Sequence, residues 1–139
     1  MDTKGWLGAD KIGKKGNQTL FLVIQHSDKA TQEKYLPMMR EAVKEGKAQP
    51  DNLALLEDRV ALKQGKPQIY GSQVGSDSTG KYFVFPLLDP ENVDKRRAEV
   101  GLPPLSDYLS YWQATWDIAD YKKNLPYYEK LQKRYWSGN

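Results

Sequence analysis

The sequence contains no cysteine, a single histidine and no long apolar run. Without cysteine the chain has no disulfide, no thiolate metal ligand and no cysteine nucleophile, and one histidine argues against a zinc site. The longest apolar run, residues 20–24, is far shorter than the about 20 residues that cross a bilayer, so we expect no membrane span. A cysteine-free chain suits reducing and oxidising compartments alike. Localisation therefore stays open between the cytoplasm and the periplasm or exterior after signal removal.

The signatures of several enzyme classes are also missing. There is no glycine-rich phosphate loop followed by Lys-Ser or Lys-Thr, and no dinucleotide fingerprint. The nucleophile elbow Gly-x-Ser-x-Gly is absent, because Ser72 directly follows Gly71. No Asp-rich loop indicates calcium or magnesium, although a carboxylate site for either ion stays open. The net charge of +3, from 21 basic and 18 acidic residues, is too small to indicate nucleic acid. We expect no cofactor, no metal site and no nucleic-acid partner.

Length and patterning predict one mainly α-helical domain with one β-hairpin. The chain has 139 residues, of which 39% are hydrophobic and 28% charged, as in ordinary globular domains. We expect a partly ordered lead-in over residues 1–17, a helical core over 18–105, and aromatic-rich C-terminal helices over 106–139 in the same domain. The oligomeric state is left open.

Caps and apolar spacing place the helices. Asp28 or Ser27 is the expected cap of the second helix, and Pro37 is expected to start or kink it. Asp89 and Pro90 are expected to open the fourth. The predicted helices cover residues 28–46, 50–65, 89–101, 106–119 and from about 126 onward. Residues 18–26 are apolar enough for a strand or a buried helix, and we favour a first helix there because no second long strand is nearby to pair with.

A β-hairpin is predicted at about residues 68–88, between the third and fourth helices. β-Formers at residues 69–70 and 82–85 flank a stretch rich in turn residues. In a strand here, Gln68, Tyr70 and Ser72 would share one face, and Gly71 would mark a bulge or a close approach. That polar face either binds a substrate or is simply solvated.

Besides the polar face of the hairpin, three groups of polar residues are candidates for chemistry. His26 could carry a proton near neutral pH, or it could be a capping or core histidine. Asp58, beside the apolar stripe of its helix, could orient a histidine with Arg59 binding an anion, or both could be exposed charges. Arg96 or Arg97 could hold a carboxylate or phosphate, or form surface ion pairs.

These motifs together resemble a bacterial family of small domains of unknown function. The resemblance covers roughly residues 6–108 and implies a shared constellation rather than a reaction. We expect Gln25, Asp28, Gln68, Gln73, Arg96 and Arg97 to bind a ligand. The motifs are Gln25-His26-x-Asp28, Asp58-Arg59, Gly65-x-Pro67-Gln68-x-Tyr70-Gly71-Ser72-Gln73, Val93-Asp94-x-Arg96-Arg97 and Gly101-Leu102-Pro103-Pro104-Leu105.

Three functional hypotheses follow. In the first, an enzyme acts on a small polar ligand, with His26 as general acid or base, Asp58 orienting it, and Arg59 or Tyr70 stabilising negative charge. In the second, the chain is an interaction module whose basic and aromatic tail stacks on single-stranded nucleic acid or sugars, although a packed amphipathic helix explains the tail better. In the third, the polar motifs form a structural hydrogen-bond network.

Overall fold

The computed structural model of the chain describes residue 24 and residues 27–136. This part is mainly α-helical with one two-stranded hairpin, as predicted. The predicted first helix lies outside the described residues except for Ile24, which is helical and buried. No helix in the described part is long and apolar enough to cross a membrane.

Two consecutive helices, α1 (Lys29–Lys44) and α2 (Pro50–Lys63), pack together and form one of the two apolar clusters of the core. The Asp28 carboxylate caps α1 by accepting a hydrogen bond from the Thr31 amide at 2.8 Å, and Pro50 is the first residue of α2, both as expected. The prediction that Pro37 starts a helix is wrong, because α1 begins at Lys29 and continues through Pro37. Burial of Leu36 and Met39 on either side of Pro37 favours this continuation.

The hairpin consists of β1 (Val74–Ser76) and β2 (Tyr82–Val84), paired antiparallel with Gly75 opposite Phe83. The prediction of a strand at residues 69–70 is wrong, and so is the alternation of side chains expected there. Residues 69–73 form a loop instead, with Gly71 in the left-handed region at φ 71°. The cause is a buried carboxylate on α2 that captures the amides of this loop.

Short helices follow the hairpin and lead to one long helix. A 3-10 turn (Pro90–Asn92), α3 (Val93–Glu99), α4 (Leu105–Leu109) and a second 3-10 turn (Ser110–Trp112) precede α5 (Ile118–Trp136). Asp89 precedes the first turn but makes no side-chain cap, since its carboxylate accepts from the Asn92 side chain. The predicted helix over 106–119 is too long, because Gln113 adopts φ 56° and stops it. The predicted start of the last helix near Pro126 is wrong, since α5 begins at Ile118.

Helix α2 connects two apolar clusters. One cluster joins it to α1 and Ile24, and the other joins it to the hairpin, α3, α4 and α5. Leu56 and Val60 belong to the first cluster and Leu62 to the second. The remaining faces of α2 carry polar side chains, among them Asp58 and Arg59.

Candidate functional site

Asp58 on α2 is a fully buried carboxylate whose two oxygens hold the loop before the hairpin. Oδ1 accepts hydrogen bonds from the amides of Ile69 at 2.7 Å and Tyr70 at 2.8 Å. Oδ2 accepts from the Ser72 amide at 2.9 Å and the Ser72 hydroxyl at 2.6 Å. Burial raises the pKa of the Asp58 carboxyl above its ordinary value, and these four donors oppose that rise. We call residues 69–72 the strap.

Gln68 anchors the strap at its start. Its side-chain amide donates to the carbonyls of Gln73 and Phe85, both at 3.0 Å, and its oxygen accepts from the Gln73 amide at 2.9 Å. Gln73 in turn donates from its side chain to the Ser72 hydroxyl at 3.0 Å. Because Gln68 and Gln73 are both buried, these bonds satisfy groups that would otherwise be costly to bury.

Two arginines on α3 bind the opposite edge of the strap. Arg96 Nε donates to the Ile69 carbonyl at 2.9 Å, and Arg97 Nη1 donates to the Tyr70 carbonyl at 2.7 Å. The peptide groups of Ile69 and Tyr70 thus direct their N–H bonds at an anion and their C=O bonds at cations. Charge-assisted hydrogen bonds on both edges make the strap a rigid part of the fold.

Tyr108 closes this network on the α4 side. Its hydroxyl donates to the Ser72 carbonyl at 2.7 Å, and its ring lies 4.8 Å from the guanidinium carbon of Arg97. Arg97 also donates from Nε to the Pro103 carbonyl at 2.6 Å, and it is fully buried. Nη2 of Arg97 is buried with no hydrogen-bond acceptor.

Arg59, the residue after Asp58, has a different environment. Its Nε is buried without a hydrogen-bond acceptor, and none of the described carboxylates forms an ion pair with it. The guanidinium carbon lies 5.9 Å from the centre of the Trp136 ring at the end of α5. Burial lowers the pKa of Arg59, and interaction with Tyr108 opposes this. A guanidinium with a desolvated, unused donor is prepared for an acceptor.

A cavity of about 450 Å³ lies between the C-terminal end of α2 and α5, and its lining on α2 begins at Leu62, three residues after Arg59. Lys63, one turn after Arg59, and Lys133, one turn before Trp136, both line it together with Glu129. Gln132 joins the two helices by donating to the carbonyls of Leu62 at 3.2 Å and Lys66 at 2.9 Å. We call Arg59, Lys63, Gln132, Lys133 and Trp136 the α2–α5 seam.

Lys63 connects the seam to the segment that precedes α1. Its Nζ donates to the Ser27 carbonyl at 3.2 Å. Burial first and the Arg59 charge second lower the pKa of Lys63, whereas Asp28 raises it. The seam therefore concentrates positive charge, and Glu129 is the one carboxylate among its cavity-lining residues.

Another concavity, of about 610 Å³, lies on a different face of α2, against α1. Its polar rim groups pair with each other: Arg40 donates to Glu57 at 3.1 Å, and Gln64 donates to Glu33 at 2.6 Å. None of the predicted site residues lines it. Within the described residues no group of three or more histidine or acidic side chains is placed to hold a metal ion.

A comparison with protein families places the chain. The sequence pattern of a family of unknown function, DUF6624, matches residues 1–119. The chain belongs to this family. No curated protein and no solved structure matches it. Membership in DUF6624 confirms the resemblance to an uncharacterised domain family and brings no activity with it.

The DUF6624 match includes the strap, its anchors and Arg59, but ends at residue 119, so that Lys133 and Trp136 lie beyond it. Of the predicted site residues, the structure brings Asp58, Gln68, Gln73, Arg96 and Arg97 together around the strap.

Asp28 and Arg59 lie apart from that network, Tyr70 takes part in it only through its backbone, and two predicted residues are not described. The Tyr70 side chain is half-buried near Glu57, and burial followed by that charge raises its pKa. Asp28 is an exposed cap, with a pKa lowered by its bonds to Thr31. Arg59 faces the seam. Gln25 and His26 lie outside the described residues.

The sequence reasoning missed Lys63, Tyr108 and the pairing of Trp136 with Arg59, and it gave Ser72 only a place on a polar strand face. Ser72 and Tyr108 are polar residues inside or beside the quoted motifs, so the motif pattern could have indicated them. Lys63 stands four residues after Arg59, which puts both on one helix face. No local signal pointed to Trp136, because it meets Arg59 across more than half the chain.

Proposed function

We propose that this DUF6624 domain binds a small anionic ligand in the α2–α5 seam, with Arg59 as the principal contact. The observation that carries the proposal is the Arg59 guanidinium, which has a buried donor without an acceptor and no carboxylate partner among the described residues. Arginine presents a planar fork of donors that matches carboxylate and phosphate oxygens. A buried donor is costly until an acceptor arrives, so a bound anion would stabilise the site.

The surroundings of Arg59 support an anion rather than a neutral ligand. Lys63 and Lys133 line the adjoining cavity, against one carboxylate from Glu129. At about 450 Å³ the cavity lies within the range of roughly 300–1,000 Å³ that is usual for small-molecule sites. Lowered pKa values at Arg59 and Lys63 express the cost of holding two cations in a partly desolvated seam, which an anion would relieve.

The test is a titration of the chain with inorganic phosphate and with acetate, in which calorimetry measures the heat of binding. We expect saturable binding of at least one anion, and a dissociation constant raised about tenfold or more in Arg59→Gln, since charge-assisted hydrogen bonds are lost. Arg40→Gln is the matched control, because Arg40 is exposed and paired with Glu57. Equal affinity in wild type and Arg59→Gln would refute the proposal, as would the absence of saturation with both anions.

His26 extends the proposal toward catalysis. It precedes Ser27, whose carbonyl accepts from Lys63 in the seam. In this proposal His26 exchanges a proton with the ligand while Arg59 holds the negative charge, as general acid–base chemistry requires. We assign Asp58 no part in it, because its oxygens already accept four hydrogen bonds from the strap.

As the only histidine, His26 gives a single imidazole signal in an NMR titration. We expect saturating phosphate to raise the pKa of His26, because a nearby anion favours the imidazolium. The same measurement on Arg59→Gln should show no rise. A titration curve unchanged by a phosphate concentration that saturates the wild-type chain would remove His26 from the site and leave a binding module.

A further inference from the structure

Trp136, the last residue of α5, has a buried indole N–H without an acceptor. Buried tryptophan N–H groups normally have a hydrogen-bond partner, since burying the donor unpaired costs free energy. The side chain is therefore in the same condition as Arg59: a desolvated donor with nothing to bind.

The position of the Trp136 ring is set by packing. Its ring meets the Phe85 ring edge-to-face, with centroids 5.7 Å apart and planes at 90°. Its ring centre is 5.9 Å from the guanidinium carbon of Arg59. Two unused donors, one from α2 and one from α5, thus lie on neighbouring side chains of one seam.

We propose that Trp136 is the second donor to the anion held by Arg59, and that the site prefers a tetrahedral oxyanion such as phosphate to a planar carboxylate. This inference depends on the proposed function. A carboxylate can place both oxygens side by side on one guanidinium, which leaves the indole N–H without an acceptor. A phosphate has further oxygens in other directions and can serve donors from α2 and α5 together.

Trp136 belongs to the part of the chain beyond the family match, which thereby takes part in the proposed site. DUF6624 covers residues 1–119, and Trp136 lies outside that range. The family region supplies Arg59 and Lys63, and the C-terminal helix supplies the contact that selects the ligand. Trp136 is thus a specificity-determining residue of this chain.

The experiment compares Trp136→Phe with wild type, because phenylalanine keeps an aromatic ring that can pack against Phe85 and removes the indole N–H together with the fused second ring. We expect phosphate affinity to fall about five- to tenfold, acetate affinity to change less than about twofold, and wild type to bind phosphate more tightly than acetate. The melting temperature of the ligand-free variant should not fall. Trp112→Phe is the control, since Trp112 packs on Tyr82 and Tyr108 and lies outside the seam.

An NMR measurement of the indole N–H groups in the unmutated chain complements the variants. The four tryptophans give four indole N–H signals in a nitrogen-15 spectrum, and Trp136→Phe identifies one of them. Added phosphate should shift that signal more than the other three. If the signal does not move, or if Trp136→Phe binds phosphate like wild type while Arg59→Gln does not, the inference fails and the proposed function stands. If Arg59→Gln also binds normally, both fail.

Discussion

Asp58 and Arg59 are neighbours on the same helix, and the fold treats them in opposite ways. The Asp58 carboxylate accepts four hydrogen bonds from the strap and has no exposed surface. The Arg59 guanidinium is half-buried, has an unpaired donor and touches an aromatic ring. The two buried charges therefore differ: the carboxylate holds the strap in place, and the cation keeps an unused donor, to which we propose that a ligand binds.

The same contrast divides the arginines of the motif set. Arg96 and Arg97 donate to backbone carbonyls of the strap and of the loop before α4, and Nη2 of Arg97 is left without an acceptor. Arg59 donates to no described residue. Polar residues that look alike in the sequence therefore belong to a structural network on one side of α2 and to a candidate binding site on another.

The largest expected effect comes from Asp58→Asn. The amide would accept from one pair of strap donors, but its NH₂ group would face the other pair and leave them unpaired. We expect a loss of about 3–5 kcal/mol in the free energy of unfolding, as for other broken buried charge networks. Denaturant unfolding followed by circular dichroism measures it.

Two controls sharpen this result. Asp77→Asn changes an exposed carboxylate that accepts from Thr79 and Lys81 in the hairpin turn, and should lower the free energy of unfolding far less than Asp58→Asn. Arg59→Gln should change stability by about 1 kcal/mol or less, since it breaks no hydrogen bond in the described structure. A loss in Arg59→Gln as large as that in Asp58→Asn would show that the two neighbours are not different in kind.

How far the sequence predicts the fold depends on the range of the contacts. The cap at Asp28 and the start of α2 at Pro50 were predicted correctly, because both depend on a few adjacent residues. The strap was predicted as a strand because residues 69–70 are β-formers. Capture of its amides by Asp58, eleven residues earlier, overrides that local preference.

The site shows the same limit. Arg59 was predicted as an anion-binding residue from its place in the motif, and that role stays a prediction. Lys63 could have been added from helical spacing alone. Trp136 could not, since only the packing of α5 on α2 brings it to Arg59. The predicted start of the last helix near Pro126 also obscured the length of α5.

A smaller loss than that of Asp58→Asn is expected at Tyr121, whose buried hydroxyl on α5 has a hydrogen-bond partner. It accepts from the Leu87 amide at 2.5 Å, and burial raises its pKa to about 12. Because the folded pKa lies above the ordinary value of 10.0, the stability it contributes is complete below pH 10 and is lost as the pH rises toward 12. Tyr121→Phe leaves the Leu87 amide unpaired and should cost about 1–2 kcal/mol near neutral pH. Above pH 10 the variant should lose stability less steeply than wild type, as measured by denaturant unfolding across that range. Equal slopes would mean that folding does not raise the pKa of the Tyr121 hydroxyl, and would contradict this expectation.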